Sequence, residues 1–296
     1  VASAGALAAA AVVYPPSGDV PSRRLDVAGA VLLGVGLATG LLALGEGETW
    51  GWSSPAVTGL AGVAVLALVA WVIWQLRAPA PLVDLRLARG RGAATAHAAA
   101  LLAGLANYLL LSSAPRLAQT PESSGYGFGA SIVVAGLVLL PFSVASVLAS
   151  QVARRLDRLA GPRAVLPLGA VVLGAGLLLF GFMRGELWQL FVDAAVAGLG
   201  VGCIFAALPG LIVAAVPPGE TGSAMSLNQV LRYIGFSVGS ALSATLLEVA
   251  TPEGATVPAS SGYAAIALVG CGACAVMAVL TAFAPAPSAP VPVGSR

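Results

Sequence analysis

Lysine is absent from this 296-residue sequence, and histidine occurs once, at His97. Charged residues make up only 9% of the chain, where soluble domains carry roughly 25%. So few charges cannot furnish the polar surface that a water-soluble fold of this length needs. The missing lysine removes the phosphate-gripping side chain of a G-x-x-x-x-G-K-[ST] loop, which excludes a nucleotide-driven pump. Three cysteines provide no disulfide framework, and a net charge of +2 provides no basic face for nucleic acid. No Ser/His/Asp, His/Glu metal or paired-carboxylate constellation is visible, so the sequence calls for no enzyme, metal or cofactor. What is there is apolar: 58% strongly hydrophobic residues, with 37 glycines besides. This composition is that of an integral membrane protein, with the lipid bilayer as its solvent.

Runs of about 18 or more apolar residues are long enough to cross the hydrocarbon core as helices. The sequence holds eight: Val27–Leu44, Ala56–Leu76, Ala93–Ser113, Ala130–Val152, Ala164–Met183, Leu187–Val216, Ser223–Val249 and Gly262–Ala284. Sustained period-2 alternation is missing, which argues against a barrel. The expected fold is therefore an all-α, polytopic helical bundle. Residues 1–14, VASAGALAAAAVVY, are apolar but too short to span, and read as the end of a truncated membrane helix. Residues 15–26 and 77–91 read as cytoplasmic linkers and 285–296 as a disordered cytoplasmic tail. Cys203, Cys271 and Cys274 all lie inside apolar runs, without His or acidic neighbours, and read as small packing residues.

Orientation follows from the arginines. Arg23, Arg24, Arg77, Arg86, Arg89, Arg91, Arg154, Arg155, Arg158, Arg163 and Arg296 fall on one side when loops alternate; only Arg116 and Arg184 fall on the other. The positive-inside rule makes the Arg-rich side, and with it the C-terminus, cytoplasmic in the cell membrane.

Polar residues inside the spans are the site candidates. Arg232 lies about nine residues into its run, with Asn228 one turn before it and Gln229 beside that. Gly235 and Gly239 continue the Arg232 face at i+3 and i+7, offering a groove for close helix approach. Two readings stand for Arg232: a cation satisfied by neighbouring carbonyls or an acid on a packed helix, or a gate or substrate-facing charge. Asp193, near one end of its run, reads as solvated, or else as the partner of a cation or acceptor of a transported proton. His97 reads as a hydrated helix-end residue rather than a proton relay. Asn107 and Tyr108, near mid-span, either bond a neighbouring helix or a bound solute. Pro141, Pro167 and Pro209 mark kinks or helix starts.

The loop SQVARRLDRLAGPRAVLPLG carries Asp157, Arg158, Gly161 and Arg163 in the order of a G-x-L-a-D-R-x-G-x-R pattern, with Ser150 or Gln151 where the leading Gly would stand. It resembles the signature loop of the major facilitator superfamily. The stretches RRLDVAGAVLLGVGLATGLLALGEGETWGW, AGLVLLPFSVASVLASQVARRLDRLAGPR and AGLGVGCIFAALPGLIVAAVPPGETGSAMSLNQVLRYIGFSVGSALSATLL are similar to the C-terminal part of fourteen-helix drug:proton antiporters. The resemblance implies that residues 27–76 are two extra central helices and that 92–284 is a six-helix C-terminal transporter half. It implies that Asp157, Arg158, Gly161 and Arg163 form a conformational latch, and that the proton-coupling residues lie in a missing N-terminal helical half. The Asn228, Gln229, Arg232 and Gly235 cluster matches an N-x-x-R-x-x-G stretch of that group, which implies helix packing and lining of a cavity. The expected function is proton-coupled export of small amphipathic or cationic compounds such as drugs, with protons and the small molecule as partners. The alternative is a non-transporting membrane fragment or scaffold.

Overall fold

The computed structural model describes residues 26–78, 83, 90–160 and 162–283. The regular structure among them is helical: α1 Val27–Trp50, α2 Pro55–Arg77, α3 Arg91–Gln119, α4 Ile132–Leu137, α5 Leu139–Ala160, α6 Pro162–Phe182, α7 Leu187–Ala215, α8 Thr221–Val249 and α9 Ser260–Ala282. Eight spans long and apolar enough to cross a membrane result, because α4 and α5 together form one, Ile132–Leu156. These are the eight runs read from the sequence, with most ends shifted by a few residues.

Local chemistry sets several helix boundaries. Asp26 caps α1 by accepting the Gly29 N–H at 2.8 Å, and the same carboxylate accepts Trp74 Nε1 at 2.9 Å and Gln75 Nε2 at 3.1 Å, tying α1 to the end of α2. Ser54 caps α2, with Pro55 in the first turn, where a missing N–H is harmless. Glu186 and Gln189 close a capping box at the start of α7. Between α4 and α5 the helix breaks at Val138. Pro141 has no N–H to offer the Leu137 carbonyl four residues back, and its ring crowds that carbonyl. Pro167 and Pro209 lie inside α6 and α7 without ending them.

In lipid there is little hydrophobic drive between helices, so small residues that let backbones approach carry the packing. Helix α7 packs against both α5 and α6, and α3 packs along α8. A Cβ on Gly198 would strike the Phe142 carbonyl and one on Gly202 the Ser146 carbonyl, both on α5. On its α6 side, Gly200 lies against Gly169 and Leu173. Helix α6 also packs on α9, where Cys271 Sγ donates to the Gly174 carbonyl at 3.3 Å; Cys274 is buried there, and all three thiols are free. The α1–α2 hairpin stands apart, meeting the other helices chiefly through α1 on α8. Its outward side chains, such as Val65 and Leu66, are exposed and apolar, as a lipid-facing surface requires.

One end of the bundle is clasped. Arg184 Nη2 donates to the Ser260 carbonyl at 2.6 Å, and its guanidinium lies 5.6 Å from the centre of the Tyr263 ring. Tyr263 OH meets Thr120 Oγ1 at 3.3 Å, and Tyr126 OH donates to the Pro258 carbonyl. These contacts join the α3–α4, α6–α7 and α8–α9 connections. Arg184 sits in this clasp rather than free in a loop, and desolvation pushes its pKa down while the two nearby tyrosines oppose that shift.

Candidate functional site

The α8 sequence VLRYIGFSVGSALSATLL puts different chemistry on different faces of one helix. Toward α3 it presents Gly235 and Gly239. A Cβ on Gly235 would meet the Leu101 carbonyl and, at 3.1 Å, the Gly104 Cα; a Cβ on Gly239 would meet the Leu105 carbonyl at 2.5 Å. Asn228, two turns before Gly235 on that face, donates from Nδ2 to the Ala96 carbonyl at 2.9 Å and lies 3.5 Å from His97 Nδ1. The sequence-based expectation of a hydrated His97 is corrected here. The imidazole is 6% exposed, because α8 covers it, and its Nε2 is buried without a partner.

Among the described residues, Arg232 is held by aromatic rings rather than by a carboxylate or a carbonyl cradle. Its guanidinium carbon lies 4.4 Å from the centre of the Phe205 ring on α7 and 6.0 Å from that of Tyr233, with Nε buried and unpartnered. Ring faces carry the negative lobe of the aromatic quadrupole, so they stabilise a cation where water is excluded. Phe205 in turn meets Phe236 edge-on at 6.5 Å, and Phe236 packs against Tyr108 at 5.4 Å and Tyr233 at 5.6 Å.

Beyond these rings, between α1 and α8, lies a cavity of about 700 Å³. Leucines of α1 form one wall; Tyr108, Tyr233, Phe236, Ser237 and Ser240 give the other its polar and aromatic character. Of the residues singled out in the sequence, only Tyr108 reaches it. Asn107 points elsewhere, buried with Oδ1 unpartnered, and Gln229 is half-buried outside the lining. Asp193 is also corrected. It is 2% exposed rather than solvated, since α7 is packed on two sides and buries even its end, and Oδ2 has no partner. The backbones of Asp157 and Arg158 end α5, and that of Arg163 lies in the first turn of α6. Their side chains, together with Gly161, the 1–14 segment and the 285–296 tail, lie outside the described residues.

The α8 hydroxyl stripe was missed in the sequence. Tyr233, Ser237 and Ser240 recur at i, i+4 and i+7, a spacing that signals one helix face, and Ala244 continues that face at i+11. Reading charge first drew attention to Arg232 on a different face.

The family model of the Major Facilitator Superfamily matches residues 96–296. The chain is 30% identical over 257 residues to a multidrug resistance protein B homolog of Mycobacterium tuberculosis, covering 82% of this chain and 45% of that protein. It is 34% identical over 253 residues to a probable actinorhodin transporter of Streptomyces coelicolor, covering 80% and 42%. To the multidrug export protein EmrB of Escherichia coli it is 25% identical over 232 residues, covering 76% and 43%. The chain thus spans about half the length of the curated relatives it matches. With eight apolar spans and a family match that begins in α3 and runs through the six-span body, this chain belongs to the major facilitator superfamily of membrane transporters.

Proposed function

We propose that this chain is the C-terminal share of a secondary transporter that exports small amphipathic compounds in exchange for protons. The observation that carries the reading is the cavity between α1 and α8, a drug-sized space with an apolar wall and a hydroxyl- and ring-bearing wall where the hairpin meets the six-span body. The names of the relatives, multidrug resistance and export proteins, support the substrate class. The chain lies with its Arg-rich loops and C-terminus in the cytoplasm, as the distribution of arginines supports. Alternating access rocks the six-helix half of residues 92–284 against an N-terminal half. Asp157, Arg158, Gly161 and Arg163 latch α5 to α6 in one state through charge-assisted hydrogen bonds.

Efflux of a fluorescent amphiphile from vesicles holding this chain joined to its N-terminal half tests the reading. Dissipating the proton gradient abolishes export, and Arg232→Ala lowers it about tenfold or more, since the rings beside the cavity lose the cation that orders them. Export insensitive to a protonophore would refute proton coupling. Absence of any export would leave the membrane scaffold as the better reading.

A further inference from the structure

The seam between α3 and α8 changes character at the end where both helices begin. Further along, Gly104, Gly235 and Gly239 bring the two backbones together. At this end two polar side chains take over, His97 and Asn228, and both are buried. The Ala96 carbonyl can only accept, so the Asn228 atom 2.9 Å from it is the amide nitrogen. The second hydrogen of that amide is left for His97 Nδ1, 3.5 Å away. Nδ1 accepts it only while bare, which puts the hydrogen of the neutral ring on Nε2. That Nε2 is buried without a partner. No carboxylate among the described residues stands opposite the ring. On α3 itself Arg91 is exposed, six residues before His97, and Tyr108 lies three turns beyond it. On α8, Glu220 lies two turns before Asn228, and Arg232, one turn beyond Asn228, rests on Phe205. Tyr233 and Glu248 follow further along that helix. Asp193 and Cys203 of α7, and Tyr263, Cys271 and Cys274 of α9, lie deeper, toward the clasped end. The contacts of Gly92 with Ala215 and of Gly270 with Leu109 set that register. Helices α4 and α6, which also touch α3, carry no titratable side chain along Ile132–Leu137 and Ala164–Phe182.

We propose that His97 and Asn228 form a proton-sensitive tie that closes this end of the α3–α8 seam. With the ring neutral, the Asn228 amide holds both the Ala96 carbonyl and Nδ1. A proton gained at Nδ1 makes both ring nitrogens donors, and the ring then points a donor at the donor of Asn228. The amide can answer only by turning its oxygen to the ring, which gives up the Ala96 carbonyl. Whether the amide turns or retreats, the bond from α8 to α3 is lost. The charged ring, with no carboxylate opposite it, is satisfied by water, which enters as the seam parts. Gly235 and Gly239 keep the rest of the seam closed, so the motion is a splaying of the first turns of α8. This goes beyond the transporter reading: α8, the helix that carries Arg232, responds to acid whether or not the chain exports.

His97 is the sole histidine of the sequence, so nitrogen-15-labelled histidine reports one imidazole. The chain is purified through a tag free of histidine and measured in phosphatidylcholine nanodiscs, between about pH 8 and pH 5, the range in which histidine changes charge. At the alkaline end the ring is expected to be neutral with Nδ1 bare. Acidification is expected to protonate Nδ1. Over the same range hydrogen exchange across residues 224–232 is expected to speed up about fivefold or more, after correction for intrinsic rates. Residues 235–243, held by the glycine contacts, are expected to change less than about twofold. His97→Gln, which gains no charge, is expected to remove the acid response. Asn228→Asp, whose carboxylate accepts from the charged ring, is expected to remove it as well, and it decides the matter should His97→Gln fail to fold. A hydrogen on Nδ1 at the alkaline end, or a ring that stays neutral throughout, would overturn the tie. So would protonation without faster exchange across residues 224–232, or an acid response that survives in either folded variant. None of these readouts involves export, so the tie stands or falls apart from the transporter reading.

Discussion

Arg232 and Gly235 are three residues apart on α8 and meet opposite demands. The arginine is a half-buried cation whose Nε is buried beside the faces of Phe205 and Tyr233; the glycine is valued for having no side chain where α8 meets α3. Each makes a different prediction. The Arg232 Nε is buried without a partner among the described residues, so removing it lifts a desolvation cost, and a methionine keeps much of the packing of the stem. Arg232→Met is therefore expected to keep or raise the melting temperature while export falls. A large drop in melting temperature would mean that the cation is mainly structural. Gly235→Val drives two methyls toward the Leu101 carbonyl and Gly104, and overpacking of this kind costs about 1–3 kcal/mol. Chemical denaturation in detergent checks it, and an unchanged midpoint would mean that the helices part freely. The arginine was legible in the sequence because charge inside a span is rare. Its ring partners were not, because Phe205 is distant in sequence and only the packing of α7 beside α8 brings it near.

At the scale of elements, the eight spans were legible because length and apolarity alone decide what crosses a bilayer. The interruption of one span was half legible. Pro141 marked the place, but whether it would kink the helix or start a new one depended on the backbone four residues back. The structure has α4 end at Leu137 and α5 start at Leu139. Pro141→Ala restores a donor for the Leu137 carbonyl. Slower hydrogen exchange is then expected across residues 138–142 as α4 and α5 merge into one helix. Unchanged exchange would show that the contacts of α5 with α7, rather than the missing N–H, hold the break open. His97 and Asp193 show the opposite limit. Their nearness to helix ends suggested water, yet neighbouring helices cover both, and no count along one helix reveals what stands beside it.

For the whole molecule, the clasp at one end joins three connections through Thr120, Tyr126, Arg184, Ser260 and Tyr263. Burial, with a smaller contribution from Tyr263, pushes the Tyr126 phenol above its usual value of 10.0, while Arg184 pulls it back. The folded protein thus holds this proton more tightly than the unfolded chain does. Its contribution to stability is fully present below about pH 10 and is lost as the pH rises through the raised value. The melting temperature is expected to fall more steeply between about pH 9 and 11 for the parent than for Tyr126→Phe. Parallel curves would remove Tyr126 from the clasp.

The sequence by itself determined the solvent and the spans. A chain with 9% charge and eight apolar runs has too little polar surface for a soluble fold, and in lipid runs of that length satisfy their backbone polar groups as helices. It also determined which few polar residues were worth following. Only the tertiary structure decided what those residues touch. In a membrane, helices choose partners by the fit of small residues and scattered polar contacts, and such fit is a property of two surfaces at once. Gly104 against Gly235, Phe205 under Arg232, and the α1 leucines facing the α8 hydroxyls each needed both surfaces before they could be seen.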